Sequence, residues 1–176
     1  MAHWWGCGAL LVDHGWLRIL GAGAAGLPGV HQANVLAGGQ PPLLEVAWDA
    51  LGGRFAVNGG GLDAPPGEVC NGGPDTLVWT SIGGGHSAFV TWALSDAMAD
   101  FYASLRWPGL ESEIEALAPD LGMSLVPPPF TVEGRDAARV SRSAVPLTEL
   151  HGVYADPAQQ LREIPDGSAF ELRVTE

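Results

Sequence analysis

Along the first half of the chain, apolar positions alternate in short runs broken by glycine; in the second half they recur every three or four residues. The run "LLVDHGWLRIL" predicts two strands, Leu10 to Asp13 and Trp16 to Leu20, joined at His14-Gly15, where glycine supplies the positive φ of a hairpin link. "GAGAAGLPGVHQANVLAGGQPP" is so rich in glycine, alanine and proline that it predicts a mobile surface loop. Strand-like "LLEVAWDALGGRFAVNGG", "GEVC" and "TLVWTSI" follow, and the alternation of Phe55 and Val57 predicts one buried face. Strand–turn–strand signals at such short spacing predict an antiparallel meander. From Ser87 or Gly85 the period becomes helical, giving helices to Leu94, from Asp96 to Arg106 behind a Ser95 cap, and from Leu110 to Leu117. Ala97, Phe101 and Leu105 form the expected buried stripe of the second of these. A strand over Gly122 to Val126 is stopped by three prolines, and a last helix from Thr148 towards Leu161 is expected to break at Pro157. The fold class expected is α+β, one domain over residues 1–176. Its core is a central, mainly antiparallel sheet, an N-terminal hairpin plus meander, flanked by the helices of the second half.

One stretch, "SIGGGHSAFVTWAL", has the strand–turn–helix layout of a nucleophile elbow, G-x-S-x-G. Gly85-His86-Ser87-Ala88 satisfies four places and Phe89 breaks the fifth, where a side chain would clash. A nucleophilic Ser87 also needs a base and an orienting acid. His86 and His151 are the histidines on offer, and nothing singles out Asp120 or Asp136 as the acid. The simpler expectation is that Ser87 caps the helix, its hydroxyl accepting from an otherwise unpaired amide. A small serine hydrolase using Ser87 is the alternative.

Composition narrows the function classes. The 176 residues suffice for one domain with a packed core, being 47% hydrophobic with seven tryptophans. Eight arginines, no lysine and 20 acids give a net charge of −12, which repels nucleic acid and anionic membranes and favours a basic partner. Cys7 and Cys70 are too few for a disulfide framework or a zinc site, so neither metal nor cofactor is expected. The glycine clusters open no helix in a phosphate-binding pattern. The N-terminus lacks the basic start and long apolar run of a signal peptide, and no stretch nears the ~20 apolar residues of a membrane span, so the cytoplasm is the expected location.

The runs "LLVDHGWLRILGAG", "DALGGRFAVNGGGL", "PDTLVW", "SAFVTWAL", "FYASLRWPG" and "SRSAVPLTELHG", in that order, resemble a bacterial family known as a domain of unknown function, number 2625. The likeness covers roughly residues 9–161 and leaves 162–176 as a tail. That family in turn looks similar to the SUKH, or Smi/Knr-like, superfamily. The resemblance implies a central antiparallel sheet flanked by helices and, through SUKH relatives, an immunity-like protein that binds a toxin. It also implies a further segment ahead of the hairpin, so apolar surface is expected near His3-Trp4-Trp5. Where relatives carry an aromatic pair, this chain has Cys70-Asn71 and Gly72-Gly73. No catalytic residue is implied.

Candidate binding residues follow from residue type. Trp16 and Trp48 suit either an interface or the core, whereas Trp92 and Trp107 are expected inside. Arg18 and Arg106 sit among apolar neighbours and each needs a carboxylate such as Asp13, Asp49 or Asp100, unless it captures a ligand. Glu111, Glu113 and Glu115 form an acidic run in which only Glu111 and Glu115 share a helix face. The function expected is a non-enzymatic protein-binding module with a basic, toxin-like partner. A housekeeping module with no dedicated partner is the plainest alternative.

Overall fold

The computed structural model describes residues 3–5, 8–24, 26–36 and 42–162, with side chains from 8 to 24, 26 to 35 and 42 to 159. Cys7, the 163–176 tail and the side chains of His3, Trp4 and Trp5 lie outside the described residues. Seven strands form one antiparallel meander in chain order: β1 (His3–Trp5), β2 (Ala9–Val12), β3 (Leu17–Leu20), β4 (Leu43–Asp49), β5 (Arg54–Asn58), β6 (Val69–Gly72) and β7 (Trp79–Ser81). Helix α1 (Val30–Leu36) lies between β3 and β4. Then come α2 (His86–Ala93), α3 (Asp96–Phe101) and α4 (Leu110–Glu115), a second hairpin of β8 (Leu121–Val126) and β9 (Ser141–Pro146), and α5 (Leu147–Arg162). The α+β class and the mainly antiparallel sheet are as the sequence predicts.

Strand register assigns the two faces. Leu10, Ile19, Ala47 and Phe55 stand opposite one another across β2 to β5 and join Phe89, Met98, Tyr102 and Ile114 from the α2–α4 side in the larger core. On the other face Leu11, Arg18, Trp48, Arg54, Gly72 and Trp79 form one row across β2 to β7. Trp48 there packs in a second core with Leu147, Leu150 and Tyr154 of α5 and Ala33 of α1. Phe55 and Ala56 are therefore both 0% exposed. The expectation of one buried face in "RFAVN" fails because helices cover the sheet on both sides.

Four other local expectations change. The β2–β3 link is a turn over Asp13–Gly15 with three consecutive positive φ angles, not a two-residue link. The supposed mobile loop contains α1, whose Asn34 amide donates to the Glu45 carbonyl (3.0 Å) and whose side-chain oxygen accepts from the Glu45 amide (2.8 Å). Along α3 and the residues that follow it the buried stripe is Met98, Tyr102 and Leu105: Leu105 is inside as predicted, but Met98 and Tyr102 replace Ala97 and Phe101, and Phe101 stays 44% exposed. Helix α5 continues through Pro157, where the missing N–H leaves the carbonyl of Val153, an exposed residue, without its helical partner.

The triple glycine makes the sharp entry to α2, with φ of +80° at Gly83 and +76° at Gly84. The cap residue is Gly85, and no side chain caps the helix. Ser87 is an exposed member of the first turn, so the cap assignment is corrected: the helix starts two residues too early for Ser87 to be its cap. Ser87→Ala should change stability by less than about 0.5 kcal/mol in urea unfolding, as exposed substitutions do. A loss near 1 kcal/mol would show a capping bond after all.

Candidate binding cleft

The row on the α5 side of the sheet builds a cleft of about 760 Å³, bounded by Glu45, Trp48, Arg54, Gly72 and Trp79 on the sheet and by Thr148, His151, Gly152 and Ala155 on the helix. Its geometry starts at the β4–β5 turn. Gly52 has φ +86°, and a Cβ there would lie 2.8 Å from Leu150 Cβ, so glycine lets α5 approach the turn. A Cβ on Gly53 would meet the Asp49 carboxylate at 2.0 Å. That tight turn sets Trp48 opposite Arg54. Asn34 holds the backbone of Glu45 beside a register shift in β4, and the Glu45 side chain, 3% exposed, accepts from Trp48 Nε1 (2.9 Å) and from Arg54 Nη2. The Arg54 guanidinium lies over the Trp79 ring at 5.6 Å, and Trp79 itself covers Gly72, where any Cβ would crowd it at 3.1 Å.

From α5, His151 places its ring edge-on to Trp48 with centroids 4.7 Å apart. Burial, and then the Arg54 charge, push the His151 pKa down to about 3, so the imidazole is neutral in ordinary buffers. Two buried nitrogens at the cleft, His151 Nε2 and Arg54 Nε, find no hydrogen-bond partner among the described residues. Buried polar atoms are nearly always paired; of seven such unpartnered side-chain atoms among the described residues, these two belong to residues that line the cleft. Glycine and alanine of α5 and two indoles of the sheet thus line one cleft together with Arg54 and His151.

Of the seven candidate residues, Trp48 alone lines this cleft. Arg18 lies next to Trp48 in the same row, 1% exposed, with Nε and Nη1 unpartnered among the described residues. Burial lowers its pKa to about 10, against the opposing pull of Asp49 and Asp120. Trp16, 0% exposed, is a core residue set edge-on to Tyr102 (5.2 Å) and Trp107 (6.0 Å), which removes it from any surface. Arg106 bonds Asp13, one of the carboxylates anticipated, and lies over Trp16 at 5.7 Å. Glu111 and Glu115 do share a face, and it holds His14 at 3.9 and 3.5 Å. Glu113 pairs with Arg142 at 3.1 Å. The acidic run thus ties α4 to the β2–β3 turn and to β9. Ser87 makes no side-chain hydrogen bond to a histidine or carboxylate among the described residues, which leaves its hydroxyl without the base an elbow requires.

Glu45, Arg54, Trp79 and Tyr154 were missed by reasoning from the sequence, and His151 entered only as a base for Ser87. A signal was available for one pair: a tight turn at Gly52-Gly53 places Trp48 and Arg54 opposite each other. Nothing local connects α5 to that row. Among the described residues no group of three or more His, Cys, Asp or Glu side chains could hold a metal ion, and no helix is long and apolar enough to cross a membrane.

The uncharacterized protein YbfG of Escherichia coli K12 is 37% identical over 150 residues, spanning 83% of this chain and 67% of that protein. An uncharacterized protein of Haemophilus influenzae is 34% identical over 116 residues, 62% of this chain and 51% of its own length. No solved structure matches. The family profile for "Protein of unknown function DUF2625" matches residues 2–150, and the chain belongs to that family.

Proposed function

We propose that this chain is a non-enzymatic binding module whose ligand enters the cleft between the sheet and α5. The observation that carries the reading is the pair of buried, unpartnered nitrogens, His151 Nε2 and Arg54 Nε, at an open slot between two indoles. A volume of about 760 Å³ is within the range of small-molecule sites. The test is a fragment screen with anionic, neutral and cationic members, read by the indole 15N–1H signals of Trp48 and Trp79. Hits that move these two signals together and saturate are expected. If no fragment of any charge does so, the cleft is only a packing defect.

The net charge of −12 favours a second reading, association with a basic, toxin-like protein. Association would then be steered, with the on-rate falling steeply as salt rises. Reversing Glu111, Glu113 or Glu115 is a poor probe of such docking, because each already holds His14 or Arg142.

A further inference from the structure

We propose that the cleft takes a small carboxylate with a flat, apolar body, its charge received by the Arg54 N–H groups that Glu45 leaves free and its body lying between Trp48, Trp79 and the small residues of α5. This rests on the reading of the cleft as a binding site. The donor inventory points to an acceptor-rich ligand. A guanidinium offers five N–H donors, and Glu45 engages only Nη2 of Arg54. The Arg54 Nε–H is buried without an acceptor among the described residues, and the Arg54 side chain as a whole keeps 26% exposure. A cationic ligand would face the arginine charge, with Glu45, the one carboxylate lining the cleft among the described residues, already engaged twice.

Charge sets the valence of the ligand. Arg18 and Arg54 occupy one cross-strand row on either side of Trp48, about 10 Å apart by strand spacing. Glu45 offsets one of the two, while Asp49 and Asp120 act on Arg18 through space without hydrogen-bonding it. The net charge of −12 does not forbid a monoanion, because exposed charges beyond about 8 Å are largely screened at physiological ionic strength. A dianion is disfavoured, since Arg54 is already paired with Glu45 and Arg18 lies buried outside the cleft lining.

The shape of the site limits the body. Gly72, Gly152 and Ala155 contribute almost no side chain, and a Cβ added at Gly152 meets nothing within 4 Å. The slot is therefore open beside α5 and bounded by indoles opposite, which suits one or two fused rings.

The experiment compares benzoate, phenylacetate and 1-naphthoate with their primary amides on the full chain, following the Trp48 and Trp79 indole signals. At least one acid should bind saturably and at least tenfold more tightly than its amide. Gly152→Leu, which fills the slot from an exposed helix position without touching any charged group, should abolish that binding while leaving the urea midpoint unchanged or raised. Amides that bind as well as the acids, and are blocked by Gly152→Leu, would overturn the carboxylate assignment and leave the cleft standing. Acids that bind equally well to Gly152→Leu bind elsewhere, and the proposal falls. No binding by any of the three acids up to about 10 mM also overturns it, and the fragment screen then decides separately whether the cleft binds anything.

Discussion

Glu45→Ala should destabilise the fold by about 3 kcal/mol, the low end for breaking a buried ion pair. Glu45 is 2% exposed and is the hydrogen-bond acceptor for both Arg54 and Trp48 Nε1, so its removal strands a guanidinium and an indole N–H together. Arg54 retains 26% side-chain exposure, and this keeps the cost from the upper end. At the low end of the roughly 5–15 kcal/mol total stability of such a domain, the variant would leave a few per cent of the chain unfolded. The double variant Glu45→Leu/Arg54→Met should cost less than Glu45→Ala alone, because neither leaves an unpaired charge inside. Urea unfolding of the three proteins checks this. An Ala variant within about 1 kcal/mol of wild type would show that the pair contributes little in solution.

Asp49 should make the stability of this protein fall as pH rises from about 4 to about 6. Its carboxylate is 0% exposed; Oδ1 accepts from the amides of Leu51 (2.9 Å) and Gly53 (2.8 Å), and Oδ2 accepts from the Tyr102 hydroxyl (3.1 Å). Burial raises its pKa from 3.8 to about 6, outweighing those bonds and the Arg18 charge. The folded state therefore holds the proton more tightly than the unfolded state. The stability this contributes is complete below the unfolded pKa and lost as pH passes the folded one. The shift corresponds to about 3 kcal/mol. Asp49→Asn retains an oxygen for the two amides and carries no charge, so the stability difference between wild type and this variant should move by that amount in the variant's favour between pH 4 and 7.5. Unfolding curves that run parallel over this range would contradict the shifted pKa. Asp49→Ala should be destabilised at both pH values, since it strands two amides and a hydroxyl in the core.

The three acids of α4 show how far residue pattern can be read. Helical spacing alone places Glu111 and Glu115 on one face and Glu113 on another, as found. Which side chains they meet, His14 and Arg142, depends on a turn some hundred residues upstream and a strand in the second hairpin, and no local signal encodes that. Ser87 makes the complementary point. The glycines correctly mark the entry to α2, yet two residues of difference in the helix start remove Ser87 from the cap position, and helix boundaries are set by backbone angles rather than by residue type.

By itself the sequence determined the α+β class, the antiparallel meander, the succession of helices after Gly85 and the family, because these rest on apolar periodicity, turn residues and motifs that are local in the chain. Tertiary structure alone decided that helices cover both faces of the sheet, which buries Phe55 and Ala56 together. It likewise decided that the glycine- and alanine-rich segment folds as α1, through the bonds of Asn34 to Glu45. The cleft belongs to the second kind. Glu45, Trp48 and Arg54 become neighbours through strand register, but His151 and Tyr154 arrive from a helix about a hundred residues later. Docking of that helix is a packing event, driven by Leu147, Leu150 and Tyr154 against Trp48, and hydrophobic contact is non-directional, so no periodicity announces where it will occur.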